Sequence, residues 1–181
     1  IVNYFTSEDF DIPEEMSYTE DIFYANNQLY VSGEAGGEKA ESYACVYNPS
    51  SKEYNEFNLS NLGFNYMTNY FYNGDVSYIC YSDKDTYSMH IGVYDNKTGQ
   101  IKESIDIGGD SYPFSMEIDK NGDLRAFINV WGMNGASTKC VTYDPLTLEE
   151  KSSVNISEKA SFGKEEMITM NVTSEDGFLY I

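Results

Sequence analysis

Four aromatic residues and three carboxylates are the side chains best suited to chemistry in this sequence: Phe64, Tyr66, Tyr112 and Trp131, with Asp83, Asp85 and Asp110. Aromatic faces rimmed by carboxylates suit sugars, peptides or cationic ligands. The groupings that catalysis needs are scarce. His90 is the only histidine and Arg125 the only arginine, so a multi-arginine clamp for phosphates or carboxylates cannot be assembled. No GxSxG, HExxH or Walker-type loop occurs, and Cys45, Cys80 and Cys140 form no CxxC pair. The three cysteines read as free thiols packed in strands. His90, on an alternating strand, reads as a packed or solvated side chain. No cofactor and no metal are expected, and the chain reads as a non-enzyme.

Two acidic stretches invite a cation-site reading. The segment "DKNGD" (Asp119–Asp123) looks like the start of an EF-hand loop, but Leu124 stands at the required glycine and Val130 at the bidentate glutamate. It reads instead as a hairpin turn. Glu8–Asp21 packs seven carboxylates into fourteen residues and reads as a solvated lead-in loop. The sequons at Asn58, Asn96, Asn155 and Asn171 are expected by chance in a chain so rich in asparagine, serine and threonine. Thirty acidic against eleven basic residues leave a net charge of −19. That balance excludes a nucleic-acid partner and electrostatic docking on anionic membranes. No apolar run is long enough to span a bilayer, so no membrane insertion is expected.

The elements that must position the aromatic residues come from an internal repeat. Tyr47, Tyr94 and Tyr143, each followed by Asn or Asp, are spaced 47 and 49 residues apart. Leu29, Val76, Leu124 and Leu179 anchor a second series spaced 47, 48 and 55 residues. Each unit reads as four short strands. In the third, the alternating run Pro113–Asp119 meets an Asn121-Gly122 turn, followed by strands at Leu124–Val130, Thr138–Tyr143 and Leu148–Val154. The second unit repeats the plan at Tyr66–Tyr72, Val76–Ser82, Met89–Tyr94 and Ile101–Ile107. The first uses Ile22–Ala25, Gln28–Val31, Tyr43–Tyr47 and Tyr54–Asn58, and the last has only Met167–Thr173 and "FLYI". The fold class is all-β. Four-stranded units of this length match β-propeller blades, at approximately 10–60, 61–108, 109–157 and a partial 158–181.

"DIGGDSYPFSMEIDKNGDLRAFI" (Asp106–Ile128) resembles the joint between blades in NHL-type, TolB-like and streptogramin-lyase-like propellers. "GVYDNKTGQIKESIDIGG" (Gly92–Gly109) is similar to the third and fourth strands of YVTN-type and quinoprotein-like propellers. These motifs specify turns and not chemistry. The histidine base of the streptogramin-lyase-like enzymes has no counterpart at a matching position here, so that activity is not implied.

Three and a half blades fall short of the usual ring, so a piece of a longer propeller is expected, with edge-to-edge self-association through the last blade as one outcome. In a propeller, the loops between second and third strands emerge on the same face as the loops joining blades. That places the loops Asp83–Thr86, Trp131–Ala136, Asn61–Asn65 and Gly108–Tyr112 together, and with them the seven candidate residues. Trp131, beside a glycine, is expected in a flexible loop. The Tyr- and Asn-rich, Arg-poor composition resembles that of secreted proteins and lipoproteins of low-GC Gram-positive bacteria. The reading is an extracellular or cell-surface module that binds a carbohydrate, peptide or protein. The alternative is part of a propeller hydrolase or lyase whose catalytic residues lie outside this chain.

Overall fold

Asn73-Gly74 and Asn121-Gly122 each turn the chain back on itself, and the glycines take φ of 69° and 86°, a region that L side chains rarely enter. These turns close antiparallel hairpins that the strands then extend. The computed structural model describes the backbone of residues 16–25, 28–35, 41–48, 53–58, 60–132, 135–159, 173–175 and 178–180. Side chains are described for residues 61–132 and 135–157. The strands are β1 (Met16–Ala25), β2 (Gln28–Ala35), β3 (Glu41–Asn48), β4 (Glu53–Asn58), β5 (Phe64–Asn73), β6 (Val76–Asp83) and β7 (Met89–Asp95). They continue with β8 (Gln100–Asp106), β9 (Ser111–Ile118), β10 (Leu124–Gly132), β11 (Gly135–Tyr143), β12 (Glu150–Asn155), β13 (Thr173–Glu175) and β14 (Phe178–Tyr180). A short 3-10 turn covers Ser60–Leu62 and one helical turn, α1, covers Ile156–Lys159.

The chain is all-β, and its strands form three four-stranded sheets of simple up-and-down order, β1-β2-β3-β4, β5-β6-β7-β8 and β9-β10-β11-β12, plus the pair β13-β14. This is the strand order of propeller blades. Two compact units divide at residues 67 and 68, inside β5. In the first unit, β1 to β4 make continuous antiparallel ladders, with irregularities in β1 near Tyr18 and Asp21. Met16–Asp21 therefore belong to a strand, where the acidic stretch had read as loop; residues 8–15 of it lie outside the described residues. So do residues 161–172, which include most of the expected strand Met167–Thr173.

In the second unit, alternation along each strand decides what is buried. Tyr78 and Cys80 of β6 and Ile91 and Val93 of β7 turn one way, into a cluster with Met116, Leu124, Ala126, Ile128, Val141 and Tyr143 of the next sheet. The intervening Ser77, Ile79 and Tyr81 are buried too, so side chains on both faces of β6 are buried. Burial fades outward: β8 and β12 are largely exposed. The inner strands are joined by side-chain bonds. Thr68 Oγ1 donates to the Pro113 carbonyl at 3.3 Å and Asn69 Nδ2 to that of Phe114 at 3.1 Å. Phe127, Ile156, Phe114 and Cys140 form a smaller cluster on the other face of the third sheet. Asn96 ties a hairpin end: its Nδ2 donates to the Gly74 carbonyl at 2.8 Å, and its Oδ1 accepts from Ser77 Oγ at 2.7 Å.

Candidate functional site

At one end of the second unit, the β6–β7 turn, the β8–β9 joint and the β10–β11 hairpin lie together, held by main-chain bonds. Ile107 N–H donates to Met89 O at 2.8 Å, and Trp131 N–H to Asp110 O at 2.9 Å. The β8–β9 joint is itself fastened by Ser111, whose Oγ donates to Ile107 O at 2.7 Å.

Trp131 is not in a loop. β10 and β11 continue their ladder through Trp131↔Ala136 to Gly132↔Gly135, so the indole is carried on a paired strand end. Across β9, Tyr112 pairs with Asn129, which makes Trp131 its diagonal neighbour on the same sheet face. The two rings meet edge to face, with centroids 6.1 Å apart and planes at 79°, a favoured aromatic geometry. Both remain open to solvent, at 40% and 42%. Below them the same face carries buried Asn129, whose Oδ1 accepts from Thr138 Oγ1 at 2.7 Å, and the Thr138 N–H donates to Ser157 Oγ at 2.8 Å. The aromatic pair thus stands on a hydrogen-bonded floor.

Asp83 builds the adjacent turn. Its Oδ1 accepts from Asp85 N–H at 3.0 Å, Thr86 N–H at 2.8 Å and Thr86 Oγ1 at 2.9 Å. Asp95 and Asp144 do the same for Lys97 and Thr98, and for Leu146 and Thr147. In all three turns the residue after the threonine donates its N–H back to the aspartate carbonyl and takes positive φ: Tyr87 at 57°, Gly99 at 70° and Leu148 at 55°. Gly99 carries no Cβ to clash, and Leu148, only 2% exposed, is held by the core. Tyr87 is 68% exposed. Its carbonyl lies 3.8 Å from where a Cβ on Gly109 would stand, so this turn abuts the β8–β9 joint. The shared Asp-x-x-Thr pattern is the sequence signal that marks Tyr87, which lies one residue beyond the loop singled out from the sequence.

Of the seven candidate residues, the structure brings Tyr112, Trp131, Asp110, Asp83 and Asp85 to this end. Asp110 acts on the fold through its carbonyl. Phe64 and Tyr66 belong to the first unit. Phe64 is buried, 2% exposed, and this corrects its reading as a ligand-facing residue. The 3-10 turn at Ser60–Leu62 and Gly63, with φ of 81°, start β5 two residues early and take the ring into the strand. Tyr66 is half-buried.

Among the described residues, Asp83, Asp85, Asp106 and Asp110 at this end make no ion pair. Thr86, through its N–H and hydroxyl, holds the Asp83 carboxyl below the usual range, and Ser88 Oγ, then Gly108 N–H, do so for Asp106. His90 is half-buried and stacks on Tyr81, with centroids 5.3 Å apart at 14°. Among the described residues no cluster of histidine, cysteine and carboxylate could hold a metal. The Asp119–Asp123 segment is a hairpin turn, with Asp119 Oδ1 accepting from Asn121 N–H at 2.8 Å and Asp123 N–H at 3.1 Å.

No family model matches the chain, and no curated protein matches it in sequence. Solved structures do. The chain is similar to the β-propeller domain of the Trilobed protease from Pyrococcus furiosus, described as having an open velcro topology, with a TM-score of 0.53 and 13% identity over 78% of this chain and 43% of that one. It is also similar to the acylaminoacyl peptidase of Pyrococcus horikoshii, with a TM-score of 0.54 and 13% identity over 76% of this chain and 25% of that one. The chain spans less than half of either neighbour. At such identity the likeness speaks for the propeller fold alone.

Proposed function

We propose that the chain is a non-catalytic binding module built on propeller blades, acting outside the cell or on its surface, and that the end bearing Tyr112 and Trp131 is its binding face. The observation that carries this reading is the exposed edge-to-face pair itself. Two large aromatic rings are fixed on paired strand ends and left open to solvent, where they offer apolar faces with polar tips to a ligand. A carbohydrate, peptide or protein segment suits such a surface. The extracellular assignment is supported by composition, and the propeller by its solved neighbours.

Trp131 is the only tryptophan, so its fluorescence reports directly on the face. Titration of soluble oligosaccharides and peptides is expected to shift or quench that emission for at least one class. Trp131→Ala and Tyr112→Ala are expected to abolish retention of the same ligand on a column without changing the melting temperature. Silence across the panel, or equal retention by both variants, would reject the face.

The second reading, a propeller fragment of a hydrolase or lyase whose catalytic residues lie outside this chain, is favoured by the two solved neighbours, which come from peptidases. A serine-hydrolase probe applied to the full-length protein separates the readings: labelling outside these residues supports the second.

A further inference from the structure

We infer that the aromatic end takes a cationic partner, a lysine- or arginine-bearing peptide segment seated against Tyr87, Tyr112 and Trp131; the inference rests on the binding-face reading above. Tyr112 and Trp131, 40% and 42% exposed, meet edge to face there, and Tyr87, 68% exposed, stands on the adjoining turn, whose main chain at the Tyr87 carbonyl passes close to Gly109. Tyr87 is the telling member. The same turn occurs three times, and its positive-φ position is filled by glycine or by a leucine held in the core. An exposed tyrosine gains neither relief, so the turn itself does not explain the ring.

Charge selects the partner. Every ion pair among the described side chains lies toward the opposite end: Lys102 with Asp95, Arg125 with Asp119 and Glu117, and Lys151 with Asp123 and Asp144. There the fold neutralises its own carboxylates. At the aromatic end Asp83 and Asp106 have hydroxyl and main-chain N–H partners, and none of Asp83, Asp85, Asp106 and Asp110 has an ion-pair partner among the described residues. Lys84 is the basic residue of these loops, and it is exposed. An ammonium or guanidinium above an aromatic face gains from the ring quadrupole and from surrounding carboxylates together. A neutral sugar stacks on the ring and donates hydroxyls to the carboxylates, but it carries no charge to gain from the quadrupole or from the unpaired negative field.

The test is a fluorescence titration of the intact chain with three probes: an eight-residue lysine–glycine peptide, its glutamate–glycine counterpart and a neutral oligosaccharide. The lysine peptide is expected to shift the Trp131 emission and the other two to leave it unchanged. Tyr87→Gly, which relieves the backbone and keeps the turn, is expected to weaken binding by roughly tenfold. Because a chain of net charge −19 attracts any polycation, a charge control is required. Asp85→Asn/Asp110→Asn is expected to weaken binding, whereas Glu103→Gln/Glu149→Gln, which removes equal charge elsewhere, leaves it intact. Equal weakening by both doubles means diffuse attraction and overturns the inference. A shift with the oligosaccharide or acidic peptide alone overturns it while preserving the binding face. No shift with any of the three overturns it, and the wider ligand panel then decides the face.

Discussion

Asn69, on the inner strand of one blade, donates its side-chain amide to the main-chain carbonyl of Phe114, on the inner strand of the next, at 3.1 Å. Neighbouring blades are thus joined by directed bonds as well as by the apolar cluster between them. Apolar faces alone allow a sheet to slide; a bond to one carbonyl fixes its register against the neighbour.

Asn69→Ala is expected to lower stability by about 1 kcal/mol, the net worth of a part-buried hydrogen bond. Urea unfolding would show a lower midpoint with an unchanged slope. An unchanged midpoint would mean that the bond contributes nothing beyond the packing.

Asn96 holds more than one partner. Its Oδ1 accepts from Ser77, which is fully buried, and its Nδ2 reaches the Gly74 carbonyl. Asn96→Ala is expected to be worse than Asn69→Ala, by about 1–3 kcal/mol in all. Equal losses in the two variants would contradict the network.

The three homologous turns predict opposite signs for glycine. Tyr87→Gly removes exposed left-handed strain and is expected to raise stability by about 1 kcal/mol. Leu148→Gly removes core packing and is expected to lower it by about 3 kcal/mol. Gly99→Ala introduces the strain and lowers it by about 1 kcal/mol. Thermal melts of the three variants check the signs.

Acid should weaken the fold in a defined window. Lys102, then the Thr98 N–H, hold the Asp95 carboxyl at about 2. The Leu146 and Thr147 N–H groups, then Lys151, hold Asp144 at about 2. Carboxylates depressed in the folded state stabilise it above their unfolded pKa of about 3.9 and lose that contribution as pH falls toward the folded value. The melting temperature is expected to drop between pH 4 and 2. Asp95→Asn/Asp144→Asn keeps a side-chain acceptor for the main-chain N–H groups of each turn but does not titrate, so its drop should be shallower; an identical drop would remove these turns from the acid response.

Cys80 is fully buried beside Met116, Sγ to Sδ 3.4 Å, and burial raises its thiol pKa. The reactive form is the thiolate, so alkylation mapped by peptide is expected to spare Cys80 in the native protein and modify it in denaturant. Rapid native labelling would contradict the packing between the sheets.

The blade plan is legible because its signals are local. Asn-Gly pairs demand positive φ, Asp-x-x-Thr demands a capped turn, and alternation sorts the strand faces. The site is less legible. Gly132 and Gly135 make the segment after Trp131 look like loop, since glycine has no strand preference, yet they pair across the hairpin. Phe64 reads as a loop aromatic until the turn ending at Gly63 starts the strand earlier. Leu148 reads as the first residue of a strand, whereas its left-handed backbone places it in the turn. Such outcomes depend on the φ of single residues, which neither hydropathy nor spacing records. Tyr87 is marked only by comparing three turns with one another.

In each of those turns the aspartate and threonine fix the backbone, and the following residue is set by its surroundings. Glycine, leucine and tyrosine already occupy that slot within one molecule. The hairpin tip is therefore an interchangeable cassette: where it faces solvent, its side chain can be diversified by mutation while the scaffold stays constant. Randomising position 87 alone would yield a family of proteins with one architecture and differing preferences.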